Sequence, residues 1–425
     1  MKPLYAFYGD DFTGSTDVLE QLAEGGVPAV LFLRKPDAAL RARFAEARAI
    51  GLAGDSRSRS PDWMDANLPG VFDALSDGAV VHYKTCSTFD SAPHIGSIGR
   101  AMDIGIRALG GPAAIVVGAP HLRRYVAFGN LFAAAGTEVF RIDRHPTMSR
   151  HPVTPMHEAD LIRHLAAQTD ARITLIALDR LHAGLADAAF SAAEKASDAV
   201  LFDGMTPDDL AVTGAVLLAH GVRFAVGSSG VTRALVSAWQ AAGLIAGTPS
   251  HARAAAVDRL LVVSGSCSPV TGRQIARGVT GGYTAILADV AALLRGETAE
   301  EERLVRAAVG ALTAQGRGTL YSAAGPLDAS AAAAGERLGA ALGRVTRAVV
   351  RETLLRRVLF AGGDTSSHGV AQLGIDALTW AAPVEPGAPL VRAHAADPAV
   401  DGLELVLKGG QMGGEDFFET VRRGG

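Results

Sequence analysis

The feature that most restricts this chain is an alternation repeated along its length. Short apolar runs stop at Gly, Asp, Ser or Thr, and amphipathic stretches follow them. Residues 4–8, 27–33, 79–83, 113–117, 173–178, 199–202 and 224–226 read as buried strands, with helical patterns at 17–24, 160–168 and 231–242. Such alternation specifies parallel sheets covered by helices. The small, polar, Pro- and Gly-bearing stretch 246–251 reads as a linker. Beyond it the pattern restarts, with strands at 260–263, 283–287, 319–322, 358–361 and 403–407. The Ala-rich stretch 329–341 reads as a helix, because Ala favours helix. A chain of 425 residues suits two cores better than one. The expected fold is therefore α/β in two domains, 1–248 and 256–425, each a mostly parallel sheet covered by helices, with a cleft between them.

The net charge of −4 gives no overall attraction to nucleic acid or to an anionic membrane, and neither is expected as a partner. No apolar run is long enough to span a bilayer. The start, Met1-Lys2-Pro3-Leu4-Tyr5, leads straight to Asp10-Asp11 and does not read as a secretory signal, so a cytoplasmic protein is expected. The two cysteines, Cys86 and Cys267, lie far apart without disulfide or metal spacing.

The chemistry-bearing stretches fall where strands give way to helices, which is where open α/β sheets bind ligands. The first is Tyr8-Gly9-Asp10-Asp11-Phe12-Thr13-Gly14-Ser15. Asp is a good helix cap, and one acid would serve that purpose. Two adjacent carboxylates need hydroxyls or cations, and polyol hydroxyls suit them. The second is His82-Tyr83-Lys84-Thr85-Cys86-Ser87-Thr88-Phe89-Asp90-Ser91. Lys84 offers a cation for a carboxylate. Ser87 and Thr88 can bond hydroxyls, and Asp90 can orient Lys84 or accept from a ligand. The third, His151-Pro152-Val153-Thr154-Pro155-Met156, reads as a rigid loop lining a cleft. With His145 and His157 it gives histidines six residues apart, which is not a familiar zinc spacing. Val226-Gly227-Ser228-Ser229-Gly230 reads as a tight turn.

Three blocks of the second half share a different chemistry. Ser264-Gly265-Ser266-Cys267-Ser268-Pro269 links a strand to a helix, where exposed N–H groups favour phosphate. Gly362-Gly363-Asp364-Thr365-Ser366 repeats that logic, with Asp364 able to hold Mg²⁺. Lys408-Gly409-Gly410-Gln411-Met412-Gly413 adds a cation before a glycine run. The chain has neither GxxxxGK[ST] nor GxGxxG, so a nucleotide site here is built without either motif.

Taken together, these blocks resemble the four-carbon acid sugar kinase family over essentially the whole chain. The matching positions are Asp10 to Gly14, Lys84 with Cys86 to Ser91, His151 to Met156, Ser264 to Thr271, Gly362 to Ser366, and Lys408 to Gly413. The Cys-Ser-Thr-Phe-Asp-Ser form resembles members that act on 3-oxo acids. The resemblance implies a two-domain α/β enzyme that binds a sugar acid in its N-terminal domain and ATP in its C-terminal domain. It implies phosphorylation of a terminal hydroxyl on erythronate, threonate, 3-oxo-tetronate or 3-oxo-isoapionate.

On that basis Asp10, Asp11, Lys84, Ser87, Thr88 and Asp90 are expected to hold the sugar acid. Asp10 or Asp11 would take the proton of the attacking hydroxyl, and the sequence does not decide which. Ser264, Gly265, Ser266, Ser268, Gly362, Gly363, Asp364, Thr365, Lys408, Gly409, Gly410 and Gly413 are expected to hold ATP, with Mg²⁺ near Asp364. Homo-oligomer formation is left open. A sugar-acid-binding regulatory protein and a nicotinamide-dependent sugar-acid oxidoreductase are the competing classes. The missing dinucleotide fingerprint argues against the latter.

Overall fold

The computed structural model describes residues 2–151, 153–247, 252–323 and 335–425, and only the backbone of Asp364. Residues 248–251 of the expected linker, 329–334 of the Ala-rich stretch, and Pro152 lie outside the described residues. The rest of the Ala-rich stretch opens the helix Gly335–Thr353. Among the described residues no helix is long and apolar enough to cross a membrane.

The chain forms two compact units, 1–30 with 41–249, and 31–40 with 250–425. The segment 31–40, expected in the first domain, counts with the second. There Leu31 and Phe32 pair antiparallel with Leu378 and Ala377, and Arg34 bonds Asp376.

Among the described residues, seven strands of the first unit run parallel. Their order is Ala49–Ala53, Tyr5–Gly9, Val80–Lys84, Phe224–Gly227, Ala113–Val116, Ala199–Phe202 and Ile173–Ile176. Five of the seven are buried at every residue, as expected of parallel strands covered on both faces. A separate antiparallel sheet, Arg124–Ala127, Asn130–Ala135 and Glu138–Arg141, follows the strand Ala113–Val116 in the chain.

In the second unit five strands are parallel among the described residues, in the order Thr284–Leu287, Arg317–Tyr321, Leu260–Ser264, Arg357–Ala361 and Glu404–Lys408. The antiparallel strands Ala388–Ala395 and Ile375–Glu385 extend that sheet. Its core includes Leu260, Val262, Ile275, Leu359, Val406, Phe417 and Phe418.

Helices start where short polar side chains take up free backbone N–H groups. Asp11, Ser97, Thr206, Ser228 and Ser268 each cap one. A cap is worth about 1 kcal/mol. Fully burying one Val, Leu or Ile contributes about 1.5–3 kcal/mol. The apolar strands therefore carry the fold, which frees the polar residues at their carboxyl ends for chemistry.

Candidate active site

The strands Tyr5–Gly9 and Val80–Lys84 pair with Gly9 opposite Lys84, so both polar blocks of the first half emerge side by side. The Asp10 N–H donates to the Lys84 carbonyl at 2.9 Å. Asp10 is 3% exposed, and its Oδ1 has no hydrogen-bond partner. Burial, then the charge of Asp11, pushes its carboxyl up to about 7, against the pull of Arg57 and Lys84.

The neighbouring acid is already occupied. Asp11 caps the helix Phe12–Glu24, its Oδ1 accepting from the Gly14 N–H at 2.5 Å and its Oδ2 from Arg57 at 3.1 Å. Of the two readings of this acid pair, helix cap and ligand group, the structure gives the cap to Asp11 and leaves Asp10 with an unused oxygen.

Arg57 joins the two blocks. One nitrogen reaches Asp11, and the other reaches both oxygens of Asp90 at 2.9 and 2.7 Å. Asp90 also accepts from Thr88 at 2.5 Å and Thr154 at 2.8 Å. Burial opposes its charge, but Arg57 and these bonds hold the carboxyl down to about 2. Asp90 thus pairs with Arg57; of its two expected roles, orienting Lys84 or accepting from a ligand, the first is not seen. The Lys84 ammonium instead donates to the Thr85 carbonyl at 2.7 Å and lies 3.9 Å from Asp17. It sits close over the first helical turn, since a Cβ on Gly14 would fall 2.9 Å from it. Ser87 is half-buried and makes no hydrogen bond among the described residues. Phe89, buried within this loop, has φ 54°, a strained value for a bulky side chain. The loop read as rigid joins through Thr154, whose hydroxyl lies 3.0 Å from His151 Nδ1.

The three blocks of the second unit also converge. Ser264, Ala361 and Lys408 end adjacent strands in register. A Cβ on Gly265 would fall 2.1 Å from Thr365 Oγ1, and one on Gly410 would fall 2.7 Å from Ser266 Oγ. Gly362 has φ 116°, and a Cβ there would fall 3.2 Å from the Ser266 N. The glycines thus let the three loops touch. A Cβ on Gly363, the second glycine of that pair, would meet nothing within 4 Å. Ser268 caps the helix Pro269–Thr280. Gln274 donates to the carbonyls of Met412, Gly413 and Gly414, fixing the glycine run, and Gly413 turns it with φ 80°. Gly409 lies in the same run, next to Met412.

Lys408 is fully buried. Its ammonium donates to Thr271 at 3.0 Å, and no carboxylate lies within ion-pair distance among the described residues. Burial lowers its pKa to about 7. Ser366 Oγ and Ser322 Oγ are buried without partners. A buried cation, unused hydroxyls and glycine-lined loops at strand ends fit a phosphate-bearing group.

Arg57 escaped the sequence reading because the strand before it, Ala49–Ala53, was not recognised. Without that strand, Ser56-Arg57-Ser58 is not seen as a strand-end loop.

Charged loops end the parallel strands of one unit, and glycine loops end those of the other. A sugar-binding N-terminal domain family matches residues 5–235, and a nucleotide-binding C-terminal domain family matches 261–418. The 3-oxo-isoapionate kinase of Paraburkholderia graminis is 47% identical over 99% of this chain and 94% of its own. The 3-oxo-tetronate kinase of Pseudomonas fluorescens is 29% identical over 99% of this chain and 96% of its own. A crystal structure from Salmonella typhimurium LT2 superposes with a TM-score of 0.79 at 24% identity, covering 100% of this chain and 99% of that one. At that identity the likeness speaks for the fold alone. The chain belongs to the four-carbon acid sugar kinase family, in the branch of the 3-oxo-isoapionate and 3-oxo-tetronate kinases.

Proposed function

We propose that this chain is a cytoplasmic kinase that phosphorylates a terminal hydroxyl of a small 3-oxo sugar acid. A branched acid of the 3-oxo-isoapionate type is preferred over the four-carbon 3-oxo-tetronates. The preference rests on identity of 47% to the former kinase against 29% to the latter. The observation that carries the reading is the buried, unpartnered Oδ1 of Asp10 in the unit matched as sugar-binding. A buried carboxylate oxygen without a partner needs a donor, and a substrate hydroxyl is one.

In this reading Asp10 accepts the proton of the attacking hydroxyl. Its carboxyl, raised to about 7, is matched to that task near neutral pH. Asp11 holds the helix start, and Arg57 fixes Asp11 and Asp90, so neither carboxylate swings into Asp10's place. Lys84, Ser87 and Thr88 line the same strand end and receive the acid's oxygens. In the second unit the loops that Gly265, Gly362 and Gly410 bring together receive phosphate, with Ser264, Ser266, Thr365 and Lys408 as donors. ATP, as its Mg²⁺ complex, supplies the transferable phosphoryl group.

ADP release measured with 3-oxo-isoapionate, 3-oxo-tetronate, erythronate and neutral hexoses tests the reading. Turnover should require both Mg²⁺ and a sugar acid, with 3-oxo-isoapionate preferred. Turnover of hexoses and of no acid would overturn it.

A further inference from the structure

The strand Ala113–Val116 lies in the same parallel sheet as Tyr5–Gly9 and Val80–Lys84, next to Phe224–Gly227. The loop after it, 117–124, carries none of the residues assigned so far. It holds two side chains with buried ring or guanidinium nitrogens that have no partner: His121 Nδ1 and Arg124 Nε.

His121 sits on the short turn Pro120–Leu122, its Nε2 3.3 Å from the Ser229 hydroxyl. Ser229 opens the helix that follows Phe224–Gly227, and Gly227 pairs with Lys84, so His121 lies at the same strand ends as Lys84. Burial pushes the imidazole down to about 4, leaving it neutral at pH 7. Whichever nitrogen carries the proton, Nδ1 has an unmet hydrogen bond. A ligand hydroxyl, which both donates and accepts, satisfies either tautomer.

Arg124 spends one terminal nitrogen on the carbonyls of Leu122, Arg123 and Ala134, at 2.9, 3.3 and 3.5 Å. The edge formed by Nε and the other terminal nitrogen makes no hydrogen bond among the described residues. No carboxylate lies within ion-pair distance of it among them either. Cys86, in the loop after Lys84, is within its electrostatic reach. A half-buried guanidinium with a free two-N–H edge is costly alone and matches a carboxylate side-on. Lys84 is a poorer candidate for that task, since the Thr85 carbonyl and Asp17 already hold it.

We propose that the loop 117–124 forms a wall of the sugar-acid site, in which Arg124 binds the substrate carboxylate side-on and His121 bonds a substrate hydroxyl. The proposal rests on the kinase reading above. It leaves Lys84 to the acid's keto or hydroxyl oxygens.

The test compares 3-oxo-isoapionate with its carboxamide, which keeps the shape and loses the charge. Arg124→Gln should raise the KM of the acid about ten- to hundredfold. The KM of the carboxamide should move less than about threefold and ATP affinity by calorimetry should stay put. Arg124→Lys keeps the charge but lacks the side-on edge, and should recover only part of the loss. It carries the same comparison if Arg124→Gln does not fold. His121→Phe should raise the KM of acid and carboxamide together by about tenfold. Equal losses for acid and carboxamide at position 124, or no loss at either position, would overturn the proposal. No turnover of any sugar acid by the unaltered protein would overturn the kinase reading itself, and the proposal with it.

Discussion

At the end of the strand Tyr5–Gly9 the chain gathers Asp10, Asp11, Arg57 and Lys84, with Asp90 bound to Arg57. At the end of Leu260–Ser264 it gathers hydroxyls, glycines and one ammonium. Both sites lie at carboxyl ends of parallel strands, yet they use opposite materials. The first consists of charges fixed mostly by one another, which suits a ligand whose hydroxyls and keto group must be told apart by direction. The second is mostly backbone brought close by absent side chains, which suits phosphate oxygens that need many N–H donors. Each site holds a buried ionisable group with no ion-pair partner among the described residues: Asp10 in the first and Lys408 in the second. Both have pKa values moved toward neutrality by burial, from opposite directions.

The sharpest way to break this comparison is Asp10→Asn. If Asp10 takes the hydroxyl proton, kcat should fall by about 10²–10⁴ with little change in ATP affinity. The variant should also be more stable than the parent at pH 8. The folded-state pKa of Asp10 is raised, so the folded protein binds the extra proton between about pH 4 and 7. The parent loses stability as pH rises through that window, and the variant does not. A melting curve at pH 4 should therefore show little difference and one at pH 8 a gain. A variant that loses stability and activity together would mark Asp10 as structural.

Exchanging the cations tests the division between the units. Lys408→Met should weaken ATP binding by about ten- to hundredfold and leave acid binding intact. Lys84→Met should raise the KM of the acid by a similar factor, and that of its carboxamide equally. Calorimetry with ATP–Mg²⁺ and steady-state kinetics on both variants decide this. Loss of ATP binding in the Lys84 variant would reverse the assignment of the two units.

Which residues could be read in the sequence follows from how they are placed. Asp10, Lys84, Ser264, Gly362 and Lys408 stand in contiguous polar or glycine blocks directly after apolar runs, so the strand marks the site. Arg57 follows Ala49-Ile50-Gly51-Leu52-Ala53, where a strand signal is missing. The reason is packing: a Cβ on Gly51 would lie 2.2 Å from the Phe7 ring, so the position holds glycine where β-branched residues would announce a strand. The antiparallel pair Ile375–Glu385 and Ala388–Ala395 was likewise unread, being rich in Ala, holding Pro383 and shifting register. Arg124 and His121 follow a strand that was read, but isolated basic residues in a loop carry no pattern; only their buried, unpartnered nitrogens reveal them.

The adjacent glycines 362 and 363 sharpen the account of the second site. Gly362 has φ 116° and faces the Ser266 backbone, whereas a Cβ on Gly363 meets nothing. Gly362→Ala should therefore weaken ATP binding by about tenfold, the strain being on the order of 1–3 kcal/mol. Gly363→Ala should change it by less than about threefold. Equal losses at both positions would point to phosphate lying against Gly363 itself and would shift the contact by one residue.

The smallest effect lies in the opposite pH dependence of the two sites. Asp10 works as a base only after losing its proton, so kcat/KM for the acid should rise with pH and level off above about 7. Lys408 attracts phosphate only while protonated, and its pKa is lowered to about 7. The kcat/KM for ATP should then fall by about threefold between pH 6.5 and 7.5, as the protonated fraction of a group with that pKa does. Lys408→Arg separates the two limbs, because a guanidinium stays charged throughout this range. In that variant the falling limb for ATP should disappear while the rising limb for the acid remains. Rate profiles taken with one substrate saturating at a time read the two limbs separately. An ATP limb that stays flat to pH 9 in the parent would mean that Lys408 keeps its proton, and the mirror-image titration of the two sites would fail at the second of them.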